Sequence, residues 1–258
     1  MARPPVSVTL ITLNEEKNIK RAIESVLWAD EILVVDSGST DNTVEIANSL
    51  GARVIQNTWS GYGQQKNFAQ EKARFDWIFS LDADECVTPK LRLEIELALE
   101  SSATKGIQGF KIPRLSLYLG RWIRHGGWYP NYLTRLAHRG TARWTEPEVH
   151  EELEVIGQVE WLKEPMQHFS FNGIQDQIQT NLRFSWLGYL KLRKAGKKPN
   201  LLKLILKPIG KFIETYFLKR GFLDGLPGFI ISVNAAHSMF LKYSYFYQEG
   251  LADADPNH

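Results

Sequence analysis

A short acidic segment lies directly behind a run of apolar residues. The run Trp77-Ile78-Phe79 leads into Ser80-Leu81-Asp82-Ala83-Asp84-Glu85. The apolar run predicts a buried strand, and open α/β sheets bind ligands at the carboxyl ends of their strands. Two carboxylates one residue apart, Asp82 and Asp84, can reach one hard divalent cation such as Mg²⁺ or Mn²⁺ and a diphosphate bound to it. An isolated Asp-x-Asp is more often a solvated turn, so the upstream sequence decides between the two interpretations.

The first 81 residues alternate between apolar runs and segments with helical spacing. The pattern predicts strand, helix, strand, helix, strand, helix and strand at residues 6–13, 15–28, 31–35, 42–50, 52–56, 63–73 and 77–81. Such alternation favours a parallel sheet with helices on both faces. Polar clusters follow the first, second and fourth strands, and this architecture gathers strand ends along one edge. Three clusters on one edge favour a ligand site over solvated turns.

Four ordered motifs then resemble glycosyltransferase family 2. They are Thr12-Leu13-Asn14-Glu15, the segment 34–43 with the sequence Val-Val-Asp-Ser-Gly-Ser-Thr-Asp-Asn-Thr, Gln65-Lys66-Asn67, and Leu81-Asp82-Ala83-Asp84-Glu85. The resemblance implies a GT-A fold, which is a Rossmann-like α/β fold with a mainly parallel sheet, and an inverting transfer from a nucleotide sugar. Further along, residues 127–135 and Val149-His150-Glu151 are similar to the branch that extends the lipopolysaccharide core with glucose.

The resemblance also implies roles for individual residues. Asp36 would hydrogen-bond the uracil or ribose, and Asp84 would bind the metal, with Asp82 reaching the ribose or the metal. The full set implied for the donor is Thr12, Leu13, Asn14, Glu15, Asp36, Lys66, Asn67, Asp82 and Ala83. A structural role is the alternative for two of these residues. Asp36 can cap the next helix while also binding donor, and Lys66 can be an exposed helix lysine.

An inverting transfer needs one carboxylate to remove the acceptor proton from the far side of the sugar ring. Residues 144–152 contain four acids, and Glu151 matches the glutamate of the family's His-Glu pair. Glu148 is the second candidate, and Glu146 stays open. His168 is the preferred histidine ligand for the metal, ahead of His150. A charged rim without chemistry is the alternative for this segment.

The stretch 115–143 mixes aromatic residues with arginines. Aromatic faces stack on sugar rings, and guanidinium groups bind phosphate or carboxylate in a bidentate manner. The mixture suits a phosphorylated glycan acceptor, although ordinary core aromatics in a basic region would look the same. From the family pattern we expect Arg135, Trp128 and Tyr129 to contact the acceptor.

Composition limits the possible partners and the compartment. The chain has 31 basic and 29 acidic residues, a formal charge of +2, so it is no general polyanion binder. It carries no recognised nucleic-acid motif, and we expect no nucleic-acid partner. One cysteine, Cys86, and the lack of a recognised signal peptide fit a reducing cytoplasm. The sequence leaves open whether the chain forms oligomers.

The last quarter of the chain is basic and apolar. Residues 186–249 contain eleven Lys or Arg and three acids. Within 201–218, Lys203, Lys207 and Lys211 are four residues apart and share a helical face, while large apolar residues occupy the rest. This pattern is typical of a helix at an anionic membrane surface. Packing against the catalytic domain or a partner subunit is the alternative. The uncharged run 225–241 has 17 residues, which is marginal for a membrane span.

These patterns predict a GT-A catalytic domain at 1–185, with a donor half at 1–105 and an acceptor half at 106–185. A basic, amphipathic helical extension at 186–258 would contact the membrane. We expect a peripheral enzyme on the cytoplasmic face of the cell membrane, with UDP-glucose as donor and the lipopolysaccharide inner core, a lipid-anchored glycan, as acceptor. Transfer to polyprenyl phosphate or to another envelope polysaccharide is the alternative reaction. An inactive membrane scaffold is the alternative without catalysis.

Overall fold

The computed structural model describes residues 3–146, 151–171, 173–198 and 200–252 of the 258-residue chain. They form two compact units. The first comprises the chain up to residue 115 together with 131–168, and the second comprises 116–130 together with the chain from 169 onward. The domain boundary predicted at residue 185 falls inside a continuous helix, Ile174–Lys194.

The strands, in chain order, are β1 (Val6–Thr12), β2 (Glu31–Asp36), β3 (Arg53–Gln56), β4 (Trp77–Ser80), β5 (Glu85–Cys86), β6 (Ile107–Tyr118), β7 (Arg121–Trp122), β8 (Asn131–His138), β9 (Ala142–Trp144), β10 (Leu153–Val155), β11 (Gln158–Trp161) and β12 (Met166–His168). The helices are α1 (Ile19–Glu24), α2 (Thr43–Ser49), α3 (Tyr62–Lys72), α4 (Pro89–Lys105), α5 (Ile174–Lys194), α6 (Leu201–Phe212) and α7 (Gly225–Ala252). A π-helical turn (Ile213–Leu218) follows α6, and 3₁₀ turns lie at Arg139–Thr141 and Gly221–Asp224.

The first four strands pair in parallel in the order β3-β2-β1-β4. Their side chains alternate between two buried layers, as a sheet covered on both faces requires. In β2, Val34 packs in the layer that holds α1, α2 and α4, whereas Leu33 and Val35 pack in the layer that holds α3. The predicted Rossmann-like α/β fold, with helices on both faces of the sheet, is therefore confirmed.

The sheet continues past β4 with strands that are mostly antiparallel, in the order β8-β6-β12-β5. The whole sheet is thus mixed, and its parallel part is the half that the sequence pattern marks. Pairing of β4 with β8 sets Phe79 opposite Leu136, which brings the preceding residue, Arg135, toward the acidic segment. Pairing of β5 with β12 sets Glu85 opposite His168. These two pairings assemble much of the site described below.

One predicted helix is much shorter than its sequence pattern suggests. Helix α1 spans Ile19–Glu24, whereas helical spacing runs from residue 15 to 28. The amide of Glu15 donates to Thr43 Oγ1 at 2.7 Å, and the amide of Glu16 donates to Asp41 Oδ2 at 3.1 Å. Residues 15–18 are thus fastened to Asp41 and to the first residue of α2, and the regular helix begins only at Ile19.

The second unit contains helices α5, α6 and α7, which confirms the predicted helical extension. Helix α7 packs against both α5 and α6. A buried cluster joins Tyr118, Ile123 and Ile231, with Trp128 and Phe171 packed against it. Among the described residues, no helix combines the length and apolar character needed to cross a membrane.

A buried carboxylate ties three elements at the amino end of the parallel strands. Glu31 lies at the start of β2, and its Oε1 accepts from Arg53 Nη2 at 2.7 Å. Its Oε2 accepts from Ser7 Oγ at 2.6 Å and from the Arg74 backbone amide at 2.7 Å. Burial acts to raise the pKa of Glu31, but these hydrogen bonds and the Arg53 charge together lower it below its ordinary value.

We expect Glu31→Gln to lower the free energy of unfolding by about 1–3 kcal/mol at pH 7. Because the folded-state pKa lies below the unfolded one, the carboxylate stabilises fully above the unfolded-state pKa. That contribution disappears as the pH falls through the folded-state pKa. Urea titrations at pH 7 and at acidic pH should show the deficit narrowing once the pH drops below about 4.5.

The exposed carboxylate of Glu45 provides the control, since Glu45→Gln should change the free energy of unfolding little at either pH. A deficit for Glu31→Gln that stays constant across this pH range would contradict the linkage.

Candidate active site

The turn after β2 is organised around Asp36. This side chain is fully buried, and Oδ1 accepts from Thr12 Oγ1 at 3.0 Å and from the Ser39 hydroxyl. Oδ2 accepts from the amides of Gly38 and Ser39 at 2.9 and 2.8 Å. Burial acts to raise the pKa of Asp36, and these hydrogen bonds outweigh it and lower the pKa. Asp36 thus bonds β1 and the turn that follows β2 rather than the first-turn amides of α2, whose N-cap is Asn42, so the helix-capping alternative is wrong. The donor contact of Asp36 stays a prediction.

The end of β1 is fastened to the same turn. Asn14 adopts φ +58°, a left-handed conformation that asparagine tolerates better than most residues. Its backbone N–H donates to Ser39 Oγ at 2.8 Å, and its side-chain Oδ1 accepts from the Thr40 backbone N–H at 2.8 Å. Leu13 beside it is about half exposed. Two of the predicted donor motifs thus form one connected rim at the carboxyl edge of the sheet.

Asp82 is held by two cationic side chains. Its carboxylate bonds both Nη atoms of Arg135, and Oδ1 lies 3.1 Å from Lys66 Nζ. Burial opposes the charged forms of Asp82 and Arg135, but their mutual attraction outweighs this effect. It lowers the pKa of Asp82, with a further contribution from Lys66, and it raises the pKa of Arg135.

Arg135 is only 3% exposed and also bonds Glu85 Oε1 at 2.9 Å, so its guanidinium is held by two carboxylates of the acidic segment. Its acceptor contact stays a prediction. The charges of Arg135 and Lys66 oppose a divalent cation at Asp82, whose predicted contact with ribose or metal also stays a prediction.

Lys66 connects Asp82 with the second half of the site. Its Nζ lies 3.0 Å from Glu151 Oε1, and the same ammonium is 4.5 Å from the ring centre of Trp144. The side chain is 5% exposed, so the alternative of an exposed helix lysine is wrong. One buried cation thus bridges the predicted donor edge and the predicted base.

Asn67 holds the backbone that leads toward Glu151. Its Oδ1 accepts from the Trp144 amide at 2.9 Å, and its Nδ2 donates to the Trp144 carbonyl at 3.0 Å and to Glu146 Oε1 at 3.1 Å. Gly63, one turn earlier on α3, lets the chain pass so closely that a Cβ there would lie 2.1 Å from the Thr145 carbonyl oxygen. Asn67 and Glu146 thus help to hold this loop, and the donor contact predicted for Asn67 stays a prediction.

A cavity of about 540 Å³ opens beside this network. Its lining carries four cationic side chains, three carboxylates and two aromatic rings: Lys66, Lys111, Arg114, Arg135, Asp82, Glu151, Glu152, Tyr132 and Trp144. Mixed charge together with aromatic faces suits a ligand that is both glycan and anionic. The predicted base Glu151 and the acidic segment behind β4 therefore face a common space.

The carboxylate of Asp84 contacts His168 rather than the cations around Asp82. Its Oδ2 lies 3.2 Å from His168 Nε2, which the pairing of β5 with β12 brings alongside. A carboxylate oxygen and an imidazole nitrogen at this separation can act on one cation. No group of three or more metal-ligating side chains occurs in the described parts of the chain. The metal contacts of Asp84 and His168 stay predictions.

Glu15 adds negative charge near this pair. Burial raises the pKa of Glu15, and the charges of Asp84, Asp41 and Asp82 raise it further, against a hydrogen bond from Asn18 that lowers it. An accumulation of acids of this kind favours a bound cation.

Two residues predicted to contact the acceptor, Trp128 and Tyr129, belong to the second unit. There Trp128 packs with Tyr118 and Phe171, and Arg124 lies 5.7 Å from the Tyr129 ring centre. Their acceptor contacts stay predictions. The candidates Glu148 and His150 lie outside the described residues.

Sequence reasoning missed two contributors to the site. Glu85 is fully buried and pairs with Arg135 and, at 3.5 Å, with Arg114. It also accepts the Asp82 amide at 3.0 Å. Trp144 forms the aromatic wall beside Lys66. Glu85 is part of the acidic motif, but its burial requires a cationic partner. The pairing of β8 with β4 supplies that partner, Arg135.

Comparisons with known proteins agree with this architecture. Residues 7–143 match Glycosyl transferase family 2. An uncharacterized glycosyltransferase of Rickettsia bellii is 34% identical over 92% of this chain and 84% of its own length. The lipopolysaccharide core biosynthesis glycosyltransferase LpsC of Rhizobium meliloti is 32% identical over 98% of this chain and 96% of its own.

Among solved structures, glucosyl-3-phosphoglycerate synthase of Mycobacterium tuberculosis, crystallised with Mn²⁺ and uridine diphosphate, is 30% identical over 45% of each chain, with a TM-score of 0.36. The family match and the full-length relatives settle the class: the chain belongs to glycosyltransferase family 2. The predicted family is confirmed, and its relative LpsC acts in lipopolysaccharide core biosynthesis.

The central position of Arg135 leads to a stability prediction. Arg135→Met would leave Asp82 and Glu85 without their shared cation, so we expect the free energy of unfolding to fall by about 3–5 kcal/mol. The double variant Arg135→Met/Glu85→Gln should lose clearly less than the sum of the two single losses, because the second change removes a buried carboxylate that has lost its nearest cation and keeps only Arg114 at 3.5 Å. Urea unfolding of the four proteins measures this coupling.

Arg139→Met is the matched control. Arg139 pairs with Asp76, whose side chain is 63% exposed, so its loss should cost only about 1 kcal/mol. Additive losses in the double variant of Arg135 and Glu85 would contradict the proposed dependence.

Proposed function

We propose that the protein transfers a hexose, with inversion, from a nucleotide sugar to a lipid-anchored glycan. UDP-glucose is the proposed donor, and the lipopolysaccharide inner core is the proposed acceptor. The observation that carries this proposal is the Lys66 bridge. A single buried ammonium joins Asp82, at the end of the parallel sheet, to Glu151, and both carboxylates line one cavity.

The donor would bind along the rim formed by the ends of β1 and β2. Thr12, Asn14 and Asp36 already share hydrogen bonds there, so the rim is rigid before any ligand arrives. Leu13 offers an exposed apolar side chain to a base. Preorganisation of this kind reduces the entropy lost on binding.

Asp84 and His168 are the residues that would hold a divalent metal, Mg²⁺ or Mn²⁺. Their separation of 3.2 Å and the nearby charge of Glu15 support this assignment. When bound, the metal would neutralise the charge that develops on the departing nucleotide diphosphate. Lys66 and Arg135 would add positive charge on the Asp82 side of the site.

Glu151 is the proposed catalytic base. Its carboxylate would take the proton of the acceptor hydroxyl as that oxygen forms its bond to the anomeric carbon. The bond between this carbon and the diphosphate oxygen breaks, and its electron pair leaves with the nucleotide. Lys66 fixes the position of the carboxylate through its 3.0 Å contact.

The cavity wall beyond Arg135 suits the acceptor. Lys111, Arg114 and Tyr132 line it, with the Trp161 ring 4.5 Å from that of Tyr132. Cationic side chains can bind phosphate groups of an inner core, and the aromatic rings can stack on its sugars. The relative LpsC, named for lipopolysaccharide core biosynthesis, supports this class of acceptor.

We further propose a peripheral position on the cytoplasmic face of the cell membrane, with residues 186–249 as the contact region. The excess of eight basic charges in this region supports an anionic partner surface.

A screen of nucleotide sugars against delipidated inner-core acceptor tests the reaction, with released nucleotide diphosphate as the signal. We expect release with UDP-glucose that requires the acceptor and a divalent cation. Asp84→Ala should lower this release by about 10²–10³-fold because a metal ligand is lost. Asp76→Ala, at an exposed carboxylate, is the control and should retain activity.

Release only with polyprenyl phosphate as acceptor would instead support the alternative reaction. If no donor and acceptor pair yields release, the transferase proposal for this chain fails.

Glu151→Gln separates donor binding from chemistry. We expect calorimetric binding of the nucleotide diphosphate to be retained while transfer falls by about 10²–10⁴-fold, since the amide cannot accept the proton. Glu154→Gln, at an exposed position on β10, should transfer normally. Normal transfer by Glu151→Gln would assign the base to Glu148 or Glu146, which the corresponding glutamine variants would then identify.

A further inference from the structure

Exposed apolar side chains are concentrated in one segment of the second unit. Of the 27 large hydrophobic side chains exposed in the described residues, twelve lie between residues 201 and 229. Helix α6 contributes five of them and buries no residue at all. We call the following set the α6 face: Leu201, Leu202, Ile205, Leu206, Ile209, Ile213, Phe217 and Leu218.

The members of the α6 face recur every three or four residues, so they form a continuous stripe along the helix and the π-helical turn. Each is between 44% and 75% exposed. Helix α6 packs on α7, where the ring centres of Phe212 and Phe229 are 6.0 Å apart, and Leu204 and Pro208 of α6 are also half-buried. Single exposed apolar residues are common on soluble proteins, whereas a stripe of this length indicates a binding surface.

Lysines border the α6 face along its whole length. Lys203, Lys207 and Lys211 are four residues apart and line a groove of about 490 Å³ together with Leu202, Leu206 and Met239. Lys211 pairs with Glu214 at 3.1 Å, and Lys203 and Lys207 are exposed. Residues 201–220 contain five basic residues and one acid. The partner surface therefore has to combine an apolar interior with a negatively charged rim.

We propose that the α6 face is the membrane-docking surface and that it lies in the interface of an anionic lipid bilayer. This inference deepens the proposed function, on which its biological meaning rests, by narrowing the contact from residues 186–249 to one helical face. The isoleucines and leucines would enter the boundary between headgroups and acyl chains. Lys203 and Lys207 would reach the lipid phosphates, with their methylene stems along the groove.

A bilayer fits this face better than a second copy of the chain does. In a twofold-symmetric dimer the same patch meets itself, so the bordering lysines of two copies would come together. Like charges at such a contact repel one another. An anionic bilayer instead supplies opposite charge at the rim and hydrocarbon at the centre.

Co-sedimentation of the full-length protein with vesicles tests the proposal. We expect binding to phosphatidylcholine vesicles that contain phosphatidylglycerol and much weaker binding to phosphatidylcholine alone. Ile205→Gln/Ile209→Gln should reduce partitioning at least about ten-fold, because two side chains that are each 53% exposed no longer favour the hydrocarbon boundary. Lys203→Gln/Lys207→Gln should reduce it by roughly 25-fold on anionic vesicles only, at about five-fold for each lysine.

Leu93→Gln/Leu97→Gln is the matched control for the apolar change. These residues are 59% and 65% exposed on α4, outside the α6 face, and their loss should leave partitioning unchanged. All the changed side chains are exposed, so circular dichroism and thermal midpoints should stay close to those of the wild type. Equal sedimentation of every variant would reject the α6 face as the docking surface.

Sedimentation velocity provides a second way to overturn the inference. A wild-type dimer that Ile205→Gln/Ile209→Gln converts to monomer, without vesicle binding by either protein, would assign the face to a second copy. Transfer to delipidated acceptor separates this inference from the proposed function. If Ile205→Gln/Ile209→Gln releases the protein from vesicles but no protein shows transfer, docking stands and the reaction fails. If Ile205→Gln/Ile209→Gln binds vesicles as the wild type does and both proteins show transfer, docking through the α6 face fails and the transferase proposal stands.

Discussion

The ion pair between Asp82 and Arg135 is the interaction on which the arrangement of the site depends. It links the end of the last parallel strand to the first antiparallel one, and it continues as an alternating series: Glu85, Arg135, Asp82, Lys66 and Glu151. The buried charges of Glu85, Arg135 and Lys66 are tolerable because each has a neighbour of opposite sign. The series joins residues from four separate parts of the chain, so removing one of them leaves its neighbour with an unbalanced charge.

Contacts from other elements surround the second half of the site. Glu151 contacts Lys66, and the strand that follows it, β10, pairs with β9. Asn67 fixes the backbone of Trp144, whose ring in turn covers the Lys66 ammonium. A base that must meet an acceptor hydroxyl within a few tenths of an ångström benefits from this rigid support.

Local sequence pattern was sufficient for the parallel half of the fold. The apolar runs that become β1, β2 and β4 are buried on both faces, and a two-sided burial leaves a continuous hydrophobic signature in the sequence. The pattern gives too long a helix for α1: residues 15–18 form a turn whose amides bond Thr43 and Asp41, and the regular helix covers only Ile19–Glu24. Helical spacing records which side chains are buried, and it carries no information on where the backbone amides find their acceptors.

The roles of Arg135 and Asn67 were beyond sequence reasoning for a related cause. An arginine that binds a substrate phosphate and one that neutralises a buried aspartate look alike in sequence, and only the register of β8 against β4 tells them apart. His168 shows the opposite case. The sequence offers only its residue type and its place in the second half of the chain, and the pairing of β12 with β5 sets it beside Asp84, while its metal contact stays a prediction.

The two aspartates of the acidic segment, Asp82 and Asp84, differ in the charges that surround them. Asp82 has two cationic partners, so its negative charge is already balanced when no ligand is bound. Asp84 has an imidazole partner and acidic neighbours that include Glu15, so the charge on its side is in excess. A cation would therefore be favoured more at Asp84, the proposed metal ligand, than at Asp82. One residue of separation along the chain gives the two carboxylates opposite electrostatic surroundings, and the neighbouring strands create this difference.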